Sequence, residues 1–374
     1  LPSTALYRKY RSQTFGDLVG QEHVVRTLQN SLAAGTVAHA YLFTGPRGTG
    51  KTSTARLLAK AVNCERGPAA EPCNECEACR SIIEARSMDV VEIDAASESS
   101  VQNVRSSVIE AVEYRPASLR YKVYIIDEVH DLSAKAFDAL LKTIEEPPAH
   151  VLFILATTEV HKVPATIRSR CLRFEFHRGS AQDIVGRLRK VADAEGIQAS
   201  DAVLARIARM ADGGYRDALS LLELVWLASG DNIEEEHVLR QIGAPPEAEI
   251  DDLLRRCATG DSAGLVAALD RLFRRGVDPR TVASSIVERL SELTRASFGV
   301  WHEAEPSAAA AAAATAAEIG PGRMQALRVA ATEASLALRD ASLPRAWLEA
   351  RLLAVASAQA AAPPTAAERP AIGT

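Results

Sequence analysis

A chain of 374 residues that is 47% hydrophobic and 24% charged is large enough for two or three packed domains, which excludes a disordered or fibrous protein. A net charge of −5 excludes a protein that coats nucleic acid through uniform basicity, but not a local basic stripe or one assembled from several subunits. No apolar run approaches a membrane span, and the N-terminus reaches Arg8-Lys9-Tyr10-Arg11 without the apolar core of a secretory signal, so the expected location is the cytoplasm with no membrane partner.

To about Gly179, strand-like runs alternate with helical stretches. Ala40-Tyr41-Leu42-Phe43, Lys122-Val123-Tyr124-Ile125-Ile126-Asp127 and Val151-Leu152-Phe153-Ile154-Leu155-Ala156 read as buried strands. Such strands separated by helices predict an α/β domain whose parallel sheet is covered on both faces. The first strand leads into Gly45-Pro46-Arg47-Gly48-Thr49-Gly50-Lys51-Thr52, the pattern of a phosphate-binding loop. Glycines at 45, 48 and 50 let backbone N–H groups approach phosphates, and a helix starting near Gly50 points its positive end at them. The nucleotide contacts are expected from Gly45 through Ser53, with Lys51 reaching the β and γ phosphates and the Thr52 hydroxyl ligating Mg²⁺.

Where the helix after that loop should end, Cys64, Cys73, Cys76 and Cys79 follow with the spacing C-x8-C-x2-C-x2-C. Four thiolates suit a tetrahedral, closed, structural zinc site, with a reactive redox cluster or unligated thiols as the competing readings. Cys171 and Cys257 stand alone and read as core or surface residues.

The second strand ends in Asp127-Glu128, placing one carboxylate to hold the Mg²⁺ shell and the next to polarise an attacking water as general base. Asp127-Glu128-Val129-His130 also fits the DExH pattern of helicases, without a further helicase motif. Thr157-Thr158 ends the third strand, where a hydroxyl can sense the γ phosphate or orient the water. Arg168 and Arg170 follow, and an arginine there either sits on the surface or reaches a nucleotide held by a neighbouring subunit. Arg216, starting a helix, poses the same question for the chain's own nucleotide.

From Ser180 the pattern is helical. Ser180 and Asp183 resemble a capping box, Asp201 is placed to cap the next helix, and Asp212-Gly213-Gly214 breaks it before a helix over 215–228. Ala244-Pro245-Pro246 reads as a linker. Beyond it, Leu265, Leu269, Leu272 and Phe273, stopped by Gly276, and then Val282, Ile286, Leu290 and Leu293 form apolar stripes of an all-helical region. The alanine run 308–314, between Pro306 and Gly320-Pro321, reads as a loop or loosely helical insertion, and the tail after Ala360 as disordered. The expected domains are 1–179, 180–243 and 244–360, with a tail at 361–374.

Taken together the motifs resemble the gamma/tau subunit of the bacterial DNA polymerase III clamp loader, a family of AAA+ ATPases. The resemblance runs over about residues 7–243. It is carried by Tyr7-Arg8-Lys9-Tyr10-Arg11, Phe15, Val19-Gly20-Gln21-Glu22-His23, the phosphate loop, the four cysteines, Glu92-Ile93-Asp94-Ala95-Ala96-Ser97, IIDEVH at 125–130, the LLKTIEEPP run at 140–148, Ala156-Thr157-Thr158, Ser169-Arg170-Cys171 and Arg216-Asp217-Ala218-Leu219-Ser220. It implies an AAA+ domain with a zinc insertion, a small helical lid and a helical collar. It implies Arg170 as a finger acting in trans, Arg216 as the sensor-2 arginine, Thr158 as sensor 1, and Arg8, Arg11 and Val19 as adenine and ribose contacts. It further implies ATP, Mg²⁺ and structural Zn²⁺ as cofactors. The implied partners are delta-type and delta-prime-type subunits, further gamma/tau copies, the sliding clamp and primer–template DNA. One departure is the segment Glu98-Ser99-Ser100, which has no basic residue before Arg105 where relatives face DNA. The longer family form carries further C-terminal domains, so the chain is expected to be the short form, a truncated form or a fragment. A helicase or branch-migration motor and an ATP-binding scaffold with little turnover are the rival readings.

Overall fold

A computed structural model describes residues 4–97, 108–300, 306–338 and 341–357. Glu98-Ser99-Ser100, Arg105 and the tail 361–374 lie outside the described residues. The chain divides into two compact units between Glu234 and Glu235.

The first unit is built on five parallel strands, β1 (Ala40–Thr44), β2 (Val90–Asp94), β3 (Lys122–Asp127), β4 (Val151–Thr157) and β5 (Leu172–Glu175), ordered β2-β3-β4-β1-β5. Side chains alternate across the sheet: Tyr41, Phe43, Val123, Ile125, Leu152 and Ile154 enter one core, and Ala40, Leu42, Tyr124, Ile126, Phe153 and Leu155 the other. Both faces are covered, which is why β1, β3 and β4 read as unbroken apolar runs. The two edge strands escape that pattern. In β2 only Ile93 is buried, beside the charged Glu92 and Asp94, and in β5 only Phe174 is buried.

The helices flanking the sheet are α1 (Leu6–Lys9), α2 (Glu22–Ala33), α3 (Lys51–Asn63), α4 (Glu77–Ile83), α5 (Ala134–Glu145) and α6 (Ala165–Arg168). Leu28 of α2 and Leu57 and Leu58 of α3 cover one face, and Phe137, Leu140 and Ile144 of α5 the other. Because the strands are parallel, their C-terminal ends share one edge: Thr44 lies opposite Thr157 and Glu175, and Asp94 opposite Asp127. Ligands bind at this edge in open α/β sheets.

Three helices complete the unit: α7 (Ala181–Glu195), α8 (Asp201–Met210) and α9 (Tyr215–Ser229). The Ser180 hydroxyl caps α7 by accepting from the Asp183 N–H at 3.1 Å. The cap of α8 is Ser200 rather than Asp201. Ser200 has the extended backbone of a capping residue and accepts from the Val203 N–H, and Asp201 is already the first helical residue, where its charge favours the helix N-terminus.

The second unit is all helical: α10 (Glu235–Ile242), α11 (Glu247–Thr259), α12 (Ser262–Arg274), α13 (Pro279–Ser297), α14 (Pro306–Ile319), α15 (Pro321–Ala337) and α16 (Pro344–Ser357). The residues read as a linker, Ala244-Pro245-Pro246, join α10 to α11 inside this unit. Leu265, Leu269, Leu272, Val282, Ile286, Leu290 and Leu293 form its core. The alanine run is a helix, not a loop or insertion. Ala312, Ala316 and Ile319 are buried in that core, and the small side chains let α14 lie close against α13. The flanking Pro306 and Gly320-Pro321 are helix-start signals, since proline suits the first helical position. Within this unit Arg289 grips Asp251 through two hydrogen bonds of 2.8 and 2.9 Å, both residues buried.

Candidate functional site

The loop after β1 turns sharply enough that glycine is required. Gly45 has φ 141°, and a Cβ there would meet the Phe176 carbonyl oxygen at 2.3 Å. Gly50, at φ 101°, starts α3. The loop opens onto a cavity of about 1000 Å³ in the first unit. Its floor is Arg47, Gly48, Thr49, Gly50, Lys51, Thr52 and Ser53, with Asp127 and Glu128 beside it. Arg8, Arg11 and Val19 come from the N-terminal segment and Arg216 from α9, so four separate stretches of sequence converge on one space. Gly45 and Pro46 lie behind it and contribute carbonyls that accept from Lys51 Nζ, each at 2.8 Å.

Lys51 is 5% exposed, and burial pushes its ammonium below the ordinary lysine value against the opposing pull of Glu128 and Asp127. A buried cation bonded only to neutral carbonyls is primed for an anion. The Thr52 hydroxyl donates to Asp127 Oδ2 at 2.5 Å, so the two predicted Mg²⁺ ligands already meet. Arg11 points the same way: its Nη1 is buried without a hydrogen-bond partner among the described residues, and burial, together with the neighbouring Arg56 charge, lowers its affinity for its proton. An unpaired guanidinium nitrogen, a buried ammonium and a helix N-terminus form a donor set that fits a nucleoside triphosphate with its metal.

Glu128 takes the left-handed conformation, φ 46°, which strains a residue with a side chain and turns the carboxylate at the strand end. Its Oε2 accepts from both the N–H and the hydroxyl of Thr158 at 3.1 Å. Thr157, one residue earlier, bonds instead to His130 Nδ1 at 3.1 Å. Thr158 therefore meets Glu128 without lining the cavity.

Arg216 stacks its guanidinium over Tyr7, 4.8 Å from the ring centroid. The next residue back, Tyr215, carries a contact that the sequence reading missed. Its N–H donates to the Gly48 carbonyl at 3.0 Å and its hydroxyl to the Val19 carbonyl at 2.9 Å, tying α9 to the phosphate loop and to the N-terminal segment at once. The available signal was its place just after Gly213-Gly214, where the chain must pass close to Gly48.

Arg170 stands apart. It is partly exposed after α6, pairs with Glu145 Oε1 at 2.6 Å and donates to the Thr166 carbonyl at 2.8 Å, and it does not line the cavity. Arg168 ends α6 and does not line it either.

The four cysteines do come together. Their sulfurs lie within 4.8 Å of one another, and Cys73 and Cys79 are 3.9 Å apart, close to the edge of about 3.8 Å that four ligands at the zinc–sulfur distance give. Cys64 is the residue that ends α3, and Cys76 caps α4. The N–H groups of Cys76 and Glu75 pull the Cys73 thiol down to about 6, whereas burial pushes lone Cys171 and Cys257 up to about 12. Within the cluster burial, with the neighbouring Cys64 and Cys76, pushes the Cys79 thiol up, so the cluster draws its negative charge toward Cys73, and the lone cysteines stay neutral and packed.

Three family descriptions match consecutive stretches: "DNA polymerase III, delta subunit" over 20–180, "DNA polymerase III clamp loader subunit, ATPase lid domain" over 183–224, and "DNA polymerase III subunits gamma and tau domain III" over 233–369. The chain is 50% identical over 283 residues to the DNA polymerase III subunit tau of Bacillus subtilis, covering 76% of this chain and 50% of that one. It is 40% identical to the subunit gamma/tau of Mycobacterium tuberculosis, covering 93% of this chain and 62% of the relative. It is 38% identical to the subunit gamma of Buchnera aphidicola, covering 77% of this chain and 79% of that one. The chain thus spans about half the length of the first of these relatives. Among the described residues no helix is long and apolar enough to cross a membrane.

Proposed function

This chain belongs to the DNA polymerase III gamma/tau family of AAA+ clamp loader subunits, and from that premise we propose that it is an ATP-hydrolysing motor subunit that helps load a sliding clamp onto primed DNA. The observation that carries this reading is the cavity in which the phosphate loop, Asp127-Glu128, the N-terminal segment and Arg216 converge.

In the proposed site Gly45 to Ser53 wrap the phosphates, and Lys51 leaves its loop carbonyls to meet the β and γ oxygens. Thr52 and Asp127 hold Mg²⁺, which neutralises charge on the phosphates when bound. Arg8, Arg11 and Val19 face the adenine and ribose. Glu128 accepts a proton from the attacking water once its carboxylate is released from Thr158, which couples the base to whatever moves the end of β4. Arg216, on the lid, reports closure over the nucleotide.

Arg170 is outside its own cavity and partly exposed, which supports a role at the nucleotide of a neighbouring copy or sister subunit. The four cysteines hold structural zinc. The proposed domains are the ATPase domain 1–179, the lid 180–243, whose last helix, α10, falls in the second unit, and a collar over 244–360. The proposed partners are delta-type and delta-prime-type subunits, further copies of this chain, the sliding clamp and primer–template DNA, in the cytoplasm.

The test is phosphate release by this chain reconstituted with sister loader subunits, with and without clamp and primed DNA. Release that rises sharply when both are present supports the motor. Strand unwinding by the chain alone would point to a helicase, and unchanged, near-zero release to an ATP-binding scaffold.

A further inference from the structure

The cysteine module and the wall of the nucleotide cavity share two points of attachment. Lys60 lies near the C-terminal end of α3 and is 2% exposed. Its ammonium donates to the Gln13 carbonyl at 2.8 Å, to Gln13 Oε1 at 3.0 Å and to Asn74 Oδ1 at 2.6 Å. Asn74 sits between Cys73 and Cys76 with φ 60°, so its side chain is presented by the turn that the cysteines close. A buried ammonium has three donors and no tolerance for an unpaired one, and here two acceptors come from the N-terminal segment and one from the cysteine module. The second attachment is Glu71, two residues before Cys73. Its carboxylate accepts from the Phe15 N–H at 3.0 Å and from Gln29 Nε2 at 2.8 Å.

Both attachments hold the same stretch, residues 11–17. That stretch lines the cavity at Arg11, Ser12, Gln13 and Asp17, and Gln13 Nε2 donates to the Arg11 carbonyl at 3.1 Å. It carries the unpaired Arg11 Nη1.

We propose that the cysteine module is a brace for the nucleotide pocket: metal held by Cys64, Cys73, Cys76 and Cys79 fixes Asn74 and Glu71, and these, through Lys60 and directly, hold residues 11–17 against the cavity. Metal occupancy and nucleotide affinity are then coupled, and Lys60, Asn74 and Glu71 are positioning residues that touch no nucleotide. The inference rests on the reading of the cavity as a nucleotide site and of the cysteines as a zinc site.

The experiment is calorimetric titration of Mg·ADP into the zinc-loaded chain, the same chain stripped of zinc by a chelator, and zinc-loaded Asn74→Gly, Asn74→Asp and Glu71→Gln variants. Glycine accepts the positive φ of position 74, so Asn74→Gly removes the acceptor and leaves the turn. Stripping and Asn74→Gly should each weaken ADP binding about tenfold, Glu71→Gln several-fold less, while Asn74→Asp, which keeps an acceptor for Lys60, restores it. Reciprocally, saturating ADP should raise the chelator concentration needed to remove zinc by the same factor as stripping weakens ADP binding. Circular dichroism identifies folded samples, and if Asn74→Gly or the stripped chain fails to fold, Glu71→Gln and the chelator competition on the unmodified chain decide. Equal ADP affinity across the folded samples, or zinc retention indifferent to ADP, overturns the brace alone. An unmodified chain that binds no ADP, or carries no zinc, overturns the underlying site readings and the brace with them.

Discussion

The two units bury polar groups to different ends. In the second unit, among the described residues, the buried charges Asp251 and Arg289 satisfy each other, with Glu247 and Glu292 closing around the guanidinium. In the first unit Lys51 and Lys60 are buried cations with no carboxylate in contact among the described residues: one is held by loop carbonyls, the other by Gln13 and Asn74. A fold stabilises buried charge by pairing it, and leaves it on neutral acceptors where a ligand or a neighbouring module must be positioned. In the second unit the buried charges are paired with each other, whereas in the first Lys51 and Lys60 rest on neutral acceptors.

The sharpest way to break this contrast is a matched pair of substitutions. Lys51→Ala should lower ATP affinity at least about a hundredfold by calorimetry while leaving thermal stability without nucleotide unchanged or slightly raised, since a desolvated cation on neutral acceptors is lost. Asp251→Ala should do the reverse. It leaves Nε and Nη2 of a buried guanidinium without their acceptors, with Glu247 and Glu292 remaining only at Nη1, and should cost about 3 kcal/mol in chemical denaturation, with ATP affinity unchanged. If Asp251→Ala impaired binding and Lys51→Ala only stability, the division of labour would be wrong. Arg216→Ala should give a smaller loss, about tenfold in ATP affinity, because one partly solvated charge-assisted contact is removed. Smaller still are two changes in α14. Ala312→Leu should cost about 1–3 kcal/mol by overpacking a buried position, whereas exposed Ala311→Gly should cost only about 0.5–1 kcal/mol through helix propensity. Equal effects at the two positions would contradict the packed helix.

Most of the site was legible in the sequence because its chemistry is local. A phosphate loop needs glycines at set positions, an acidic pair ends a buried strand, and thiolates recur at CxxC spacing, so Lys51, Asp127, Glu128 and the four cysteines could be read directly. What was hidden depends on contacts between distant segments. Tyr215 reaches Val19 and Gly48 only because α9 folds back over the loop. Glu71 and Asn74 belong to no motif, and their partners Phe15 and Lys60 come from other segments of the chain. The edge strands β2 and β5 carry too few apolar residues to announce themselves. The alanine run misled for the opposite reason. Proline and glycine flanks suggest a loop when read as punctuation, yet they start and stop helices, and alanine is chosen where a neighbouring helix must come close.

Completion of hydrolysis across a subunit boundary is tested by steady-state phosphate release from reconstituted loaders carrying Arg170→Ala in this chain, with clamp and primed DNA present. The prediction is ATP binding within about twofold of the unmodified complex and hydrolysis slowed on the order of a thousandfold. Hydrolysis at the unmodified rate would contradict it.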